Sequence, residues 1–169
     1  MIQLDIIQNY PFFNFLSQDQ QKSIAEISDE EQYAPKAMIY KEKERADWLY
    51  FLVSGDVDRF FTIEVEYHPE QNKEIIYGDV IRGEMFGILA LIEPRIHSSS
   101  SRASKQCEMI KINAVRLLEL FEKDNQLAYD FMKQAAKTID KRLNMTLEQL
   151  ASVWTHPQEK VNPLNKETE

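Results

Sequence analysis

The sequence predicts a mainly β fold with α: a double-stranded β-helix, or jelly roll, flanked by an N-terminal helix and a long C-terminal helix. Three observations carry this. Short apolar or alternating segments separated by turn residues fill the region from Trp48 to Ile112. All four glycines, Gly55, Gly78, Gly83 and Gly87, fall inside that region, at expected corners. From Asn113 onward the apolar spacing changes from two to three and four, the period of a helix.

Taken in order, Ser17 with Gln20 three residues later, followed by Ile24 and Ile27, predicts a capped helix of two to three turns. Pro35 starts an extended region. Val57, Phe61, Ile63, Val65 and Tyr67 alternate with Asp58, Thr62, Glu64 and Glu66, as in a half-buried antiparallel strand. The polar run from His68 to Lys73 is a hairpin tip, and Glu74 to Tyr77 returns. Further strands are expected from Ser98 to Ser104 and from Cys107 to Ile112. A short helix follows with Leu117, Leu118 and Phe121, then a long one capped by Asp124 or Asn125. Its residues Met132, Ala136, Ile139, Leu143, Thr146, Leu150 and Val153 form a heptad seam, which points to pairing with a second helix. The other use of such a face is packing on the chain's own roll, with Leu147 and Trp154 beside it. The expected divisions are residues 1–113, 114–154 and a flexible tail, 155–169.

Composition sets bounds. The chain has 169 residues, 43% hydrophobic and 28% charged, as in a globular protein. It has no apolar run near the ~20 residues that span a bilayer and no signal-peptide pattern, so a cytoplasmic address without membrane attachment is expected. The single cysteine, Cys107, excludes an intrachain disulfide framework and a multi-cysteine metal site. A net charge of −8, with Asp29-Glu30-Glu31 as one acidic cluster, argues against a nucleic-acid partner. His68, His97 and His156 fall on a hairpin tip, a strand and the tail, so no metal site is expected from them. No nucleophile–histidine motif is present, and no enzymatic activity is expected.

The stretch Gly83-Glu84-Met85-Phe86-Gly87-Ile88-Leu89-Ala90-Leu91, followed by Pro94-Arg95 and a serine run ending at Arg102-Ala103, resembles the phosphate-binding cassette of cyclic nucleotide-binding domains. This is the sensor module of catabolite-activator-type regulators. Tyr10 to Ser17 resembles the family's opening, Trp48 to Val57 its strand-turn-strand, and Lys141 to Glu148 the helix after the cassette. The resemblance implies a ligand sensor that dimerises through the long helix. It implies that Gly87 lets the backbone approach a ligand and that the turn through Ile88, Leu89 and Ala90 presents N–H groups to an anion. The fifteen residues after Trp154 hold no helix pair, so a sensor without the DNA-binding domain is expected, with output to a protein partner.

Several family contacts are altered. Ile88 stands where the family has a glutamate that binds the ribose 2′-hydroxyl. Losing such a charge-assisted bond costs roughly 1.5–3 kcal/mol. Read forward from the cassette, the phosphate arginine is Arg95. Read backward from Arg102-Ala103, the arginine position falls on His97 and the hydroxyl position on Ser98. Thr146 matches a helix threonine that reaches the purine base, or bonds back to a carbonyl one turn earlier. Leu147 replaces a serine that meets the base from the partner subunit. The expected ligand is a cyclic nucleotide or another phosphate-bearing small molecule, in a pocket degenerate for cyclic AMP. The alternative is a dimeric protein-interaction module that binds no small molecule.

Overall fold

A computed structural model describes residues 1–68 and 71–155. The expected hairpin-tip residues Pro69 and Glu70, and the tail from His156 onward, lie outside the described residues; so do the side chains of Val153 and Trp154. The chain divides into two units, residues 1–138 and 139–169.

In the first unit, eight strands form two four-stranded antiparallel sheets. One sheet, in the order β1 (Ser28–Tyr33), β8 (Cys107–Asn113), β3 (Trp48–Ser54), β6 (Met85–Phe86), is sandwiched between helices and the roll interior. The other has the order β2 (Met38–Tyr40), β7 (Ser100–Ala103), β4 (Val57–Ile63), β5 (Lys73–Val80). The jelly-roll architecture read from the sequence is the architecture found.

Strand alternation explains how one sheet serves two cores. In β3, Leu49 and Phe51 join Ile110 and Ile112 of β8 in a core built with the helices, including Phe13, Ile24, Leu117 and Phe131. Tyr50 and Leu52 point the other way, joining Cys107, Met109, Phe86, Val57, Val80 and Ala103 inside the roll. Because both faces of β3 are covered, its sequence reads as an unbroken apolar run. Tyr10 ties the helical layer to the sheet: its hydroxyl donates to Leu52 O at 3.0 Å.

The helix ends follow their sequence signals. Helices α1 (Leu4–Asn9) and α2 (Gln18–Glu26) bracket a 3-10 turn at Pro11–Phe15. Ser17 and Gln20 form a reciprocal capping box at α2. Asn113 Oδ1 accepts from Arg116 N–H to cap α3 (Ala114–Lys123), and Asp124 Oδ1 accepts from Leu127 N–H at the start of α4 (Asn125–Thr155). Thr155, placed in the tail by the sequence reading, is helical. Along α4, the residues that enter the core are Leu127, Phe131 and Ala135. The expected seam is a different stripe: Met132, Ala136, Ile139, Leu143, Thr146 and Leu150 are all exposed, as is Leu147.

Three expectations need correction. The extended region begins at Ser28, ahead of Pro35, because β1 pairs along its length with β8. The Ser98–Ser104 strand is confined to Ser100–Ala103. The alternating stripe of β4 stops at Ile63, with Val65 and Tyr67 beyond it, and Phe60, on the opposite face from Val57, is also buried, with the Arg102 guanidinium 4.7 Å from its ring centroid.

Candidate functional site

Between the two sheets the roll interior is lined by aromatic rings. Tyr50 stacks on Phe86 at 5.1 Å, and Tyr40 lies 5.9 Å from Tyr50 and 6.1 Å from Phe86. His97, 5% exposed, lies parallel on Tyr40 at a centroid distance of 3.7 Å. Burial pushes the imidazole pKa down, against the pull of Glu44 and Asp47 upward. Its main chain is fixed by His97 N–H donating to Glu44 O at 2.9 Å and by His97 O accepting from Lys43 N–H at 2.8 Å. Near pH 7 this histidine is therefore a neutral, packed ring.

The cassette begins at Gly87, whose φ of 78° lies in the left-handed region. A Cβ there would sit 3.0 Å from Trp48 O and 3.1 Å from the Tyr50 ring, so both conformation and space demand glycine. A 3-10 turn, Ile88–Leu91, follows. Ala90 is fully buried and its N–H donates to Gly87 O at 3.0 Å, which uses one of the three N–H groups assigned to an anion. Ile88 and Leu91 pack against the helix-side core, and Leu89 against Ala46 and Ala114.

The candidate phosphate ligands separate. Arg95, with φ of 56°, places Nε 3.0 Å from Glu93 Oε1, and its side chain is only 21% exposed. Its charge is thereby met by a carboxylate two residues earlier. Ser98 is exposed. Ser99 is buried with Oγ 2.7 Å from Tyr77 OH, and Ser100 Oγ accepts from Glu42 N–H at 3.0 Å. Thr146, in the second unit, is exposed and donates its hydroxyl to Arg142 O at 2.9 Å, one turn back.

Sequence reasoning passed over two polar residues on the roll's inner face, half-buried Arg59 and fully buried Ser101. Their local context is an ordinary alternating strand and a serine run, and only the pairing of β4 with β7 brings them side by side. Among the described residues no group of three or more His, Cys, Asp and Glu side chains could hold a metal ion, and no helix is long and apolar enough to cross a membrane.

Residues 30–124 match the family pattern described as "Cyclic nucleotide-binding domain". This chain belongs to the cyclic nucleotide-binding domain family. A protein from Geobacter metallireducens GS-15, described as a cyclic nucleotide-binding protein, superposes with a TM-score of 0.71 at 32% identity, covering 85% of this chain and 99% of that one. The regulatory domain of Toxoplasma gondii PKA, solved with cAMP, shares the fold at TM-score 0.61 and 16% identity, over 79% of this chain and 48% of that chain. Among curated proteins, the cAMP-activated global transcriptional regulator CRP of Salmonella typhimurium is 26% identical over 122 residues, 72% of this chain. The cyclic nucleotide-binding domain chain described here spans about half the length of the curated relatives it matches (53% for that regulator).

Proposed function

We propose that this protein is a non-enzymatic regulatory sensor whose roll interior receives a small ligand other than cyclic AMP. The observation that carries the reading is the fate of Ile88. At the position of the ribose-binding carboxylate it presents no acceptor, and it packs into the helix-side core. The other anchors point the same way: Arg95 is paired with Glu93, and His97 is held neutral against Tyr40. Kinship with regulators supports the sensor role.

The exposed stripe Met132, Ile139, Leu143 and Leu150 supports dimerisation through α4, with the signal passed to a protein partner in the cytoplasm. Isothermal titration with cyclic AMP and cyclic GMP tests the ligand assignment. Neither is expected to bind with a dissociation constant below about 1 µM, equivalent to about −8.2 kcal/mol; tighter binding of cyclic AMP overturns the assignment, and tighter binding of cyclic GMP overturns the role given to Ile88.

A second reading has its own support. The rings of Tyr40, Tyr50, Phe86 and His97 occupy much of the roll interior, which suits a dimeric interaction module that binds no small molecule. A thermal-shift screen of small metabolites separates the two: a saturable hit that is lost on filling the interior, by Gly78→Leu, favours the sensor.

A further inference from the structure

We propose that Arg59 on β4, with Ser101 beside it on β7, is the anion anchor of the roll, in place of a cassette arginine. The proposal rests on the reading of the roll interior as a ligand site, and names what that site grips: an anionic oxygen group, phosphoryl or carboxylate.

The strand register places both residues on the inner face. Val57 pairs with Val80 and Ala103, and all three are fully buried in the roll core. Two residues along β4, Arg59 pairs with Gly78 on one side and Ser101 on the other, so it shares Val57's face. Its guanidinium passes over Gly78, where a Cβ would lie 3.0 Å from Nη2, and ends 5.0 Å from the centroid of the Tyr77 ring. Gly78 is thus the opening through which the arginine lies flat in the sheet's inner surface.

Two hydrogen-bonding groups are left unused there. Among the described residues, Arg59 Nε is buried with no hydrogen-bond partner, and so is Ser101 Oγ; Ser101 itself is 0% exposed. Buried polar atoms are nearly always paired, and two orphans on adjacent strands of one face are an unmet demand for an acceptor. Both atoms donate: a guanidinium has donors only, and a serine hydroxyl supplies one. A group with two acceptor oxygens would satisfy both, and a guanidinium favours an anionic one.

The surrounding groups leave that role open. Among the described residues no carboxylate pairs with Arg59. The flanking Asp58 and Asp79 oppose each other on the next rung, and by alternation project from the outer face. Tyr77 and Ser99 are engaged with each other, and His97 is stacked on Tyr40. In a chain of net charge −8, a half-buried arginine with no counter-ion among the described residues is the feature that selects for an anion.

The test follows melting temperature with sodium phosphate and, separately, sodium acetate, against chloride at matched ionic strength. The wild type should show a saturable rise of about 3–6 °C at ten times the dissociation constant. Phosphate alone, acetate alone or both acting would identify the anionic group. Arg59→Met should abolish the rise, Ser101→Ala should weaken the affinity several-fold, and Arg95→Met should leave it unchanged. A rise that persists in Arg59→Met, or a wild type insensitive to both anions, overturns the anchor. Should Arg59→Met fail to melt cooperatively, an unchanged rise in Ser101→Ala overturns it instead. Cyclic AMP titrated into the same proteins keeps the two failures apart. Micromolar binding lost in Arg95→Met sinks the proposed function, whereas a silent cyclic AMP with an Arg59-independent phosphate effect sinks only the anchor.

Discussion

The imidazole of His97 lies on the ring of Tyr40 with the two planes within 5° of parallel. This stack occupies the position where one alignment to the family puts the phosphate-binding arginine. On that alignment, a neutral ring packed between β2 and the segment leading to β7 stands where the family has a positive charge.

That relationship predicts a pH dependence. Burial lowers the His97 pKa below its ordinary 6.5, with Glu44 and Asp47 opposing in part. The folded state therefore prefers the neutral ring, and protonation favours unfolding. The contribution to stability is complete above pH 6.5 and declines as the pH falls through and below that value. His97→Phe keeps the stack and removes the proton. Urea denaturation at pH 7.5 and pH 5.0 should show a smaller loss of stability in the variant than in the wild type; equal losses would contradict the assignment.

Gly87 and Gly83 make a controlled pair. Both have positive φ, 78° and 89°, but only Gly87 has close neighbours, with nothing within 4 Å of a Cβ at Gly83. Gly83→Ala should lose about 1–2 kcal/mol from backbone strain alone. Gly87→Ala should lose more, because Trp48 O and the Tyr50 ring must also move. Chemical denaturation of the two variants measures the difference, and equal losses would mean the cassette is loosely seated.

Two positions on α4 separate folding from assembly. Phe131 is fully buried and contacts Phe12, Phe51 and Phe121, so Phe131→Ala should cost about 3–5 kcal/mol. Leu143 is 55% exposed. Leu143→Ala should leave stability at high dilution within about 0.5 kcal/mol of wild type. By sedimentation it should weaken self-association, and an unchanged mass distribution would remove the seam from the dimer interface.

How much of this was legible in the sequence follows from how local each determinant is. Ser17 and Gln20 act three residues apart, and their capping box is visible in the sequence and present in the fold. Asn113 and Asp124 likewise act within one turn. The strand Ser28–Tyr33 was hidden because Ser-Asp-Glu-Glu-Gln-Tyr has almost no apolar signal. It is a strand through its register with β8, where the Lys111 ammonium meets Glu31 at 2.6 Å. Of the site, Gly87 was readable because its conformation is dictated locally. Arg59 was not, since its significance depends on Ser101, forty-two positions away, and on a glycine in a third strand. The seam on α4 was legible as periodicity, but whether it or the neighbouring stripe meets the core depends on how the first turns dock Leu127 and Phe131.

The proposed loss of the ribose and phosphate contacts can be tested by reversal. Ile88→Glu alone places a carboxylate among apolar neighbours of the helix-side core, so it should lower stability, by about 1–3 kcal/mol. It should add little affinity for cyclic AMP while His97 remains neutral and stacked. Adding His97→Arg frees Tyr40 and places a guanidinium at the position that one of the two alignments gives to the phosphate arginine. Each recovered charge-assisted bond is worth roughly 1.5–3 kcal/mol. The double variant should therefore bind cyclic AMP at least ten-fold more tightly than either single variant, a coupling that calorimetry of all four proteins resolves. Equal affinities across the set would mean that Ile88 and His97 do not set the proposed ligand preference, with Arg59 the next place to look.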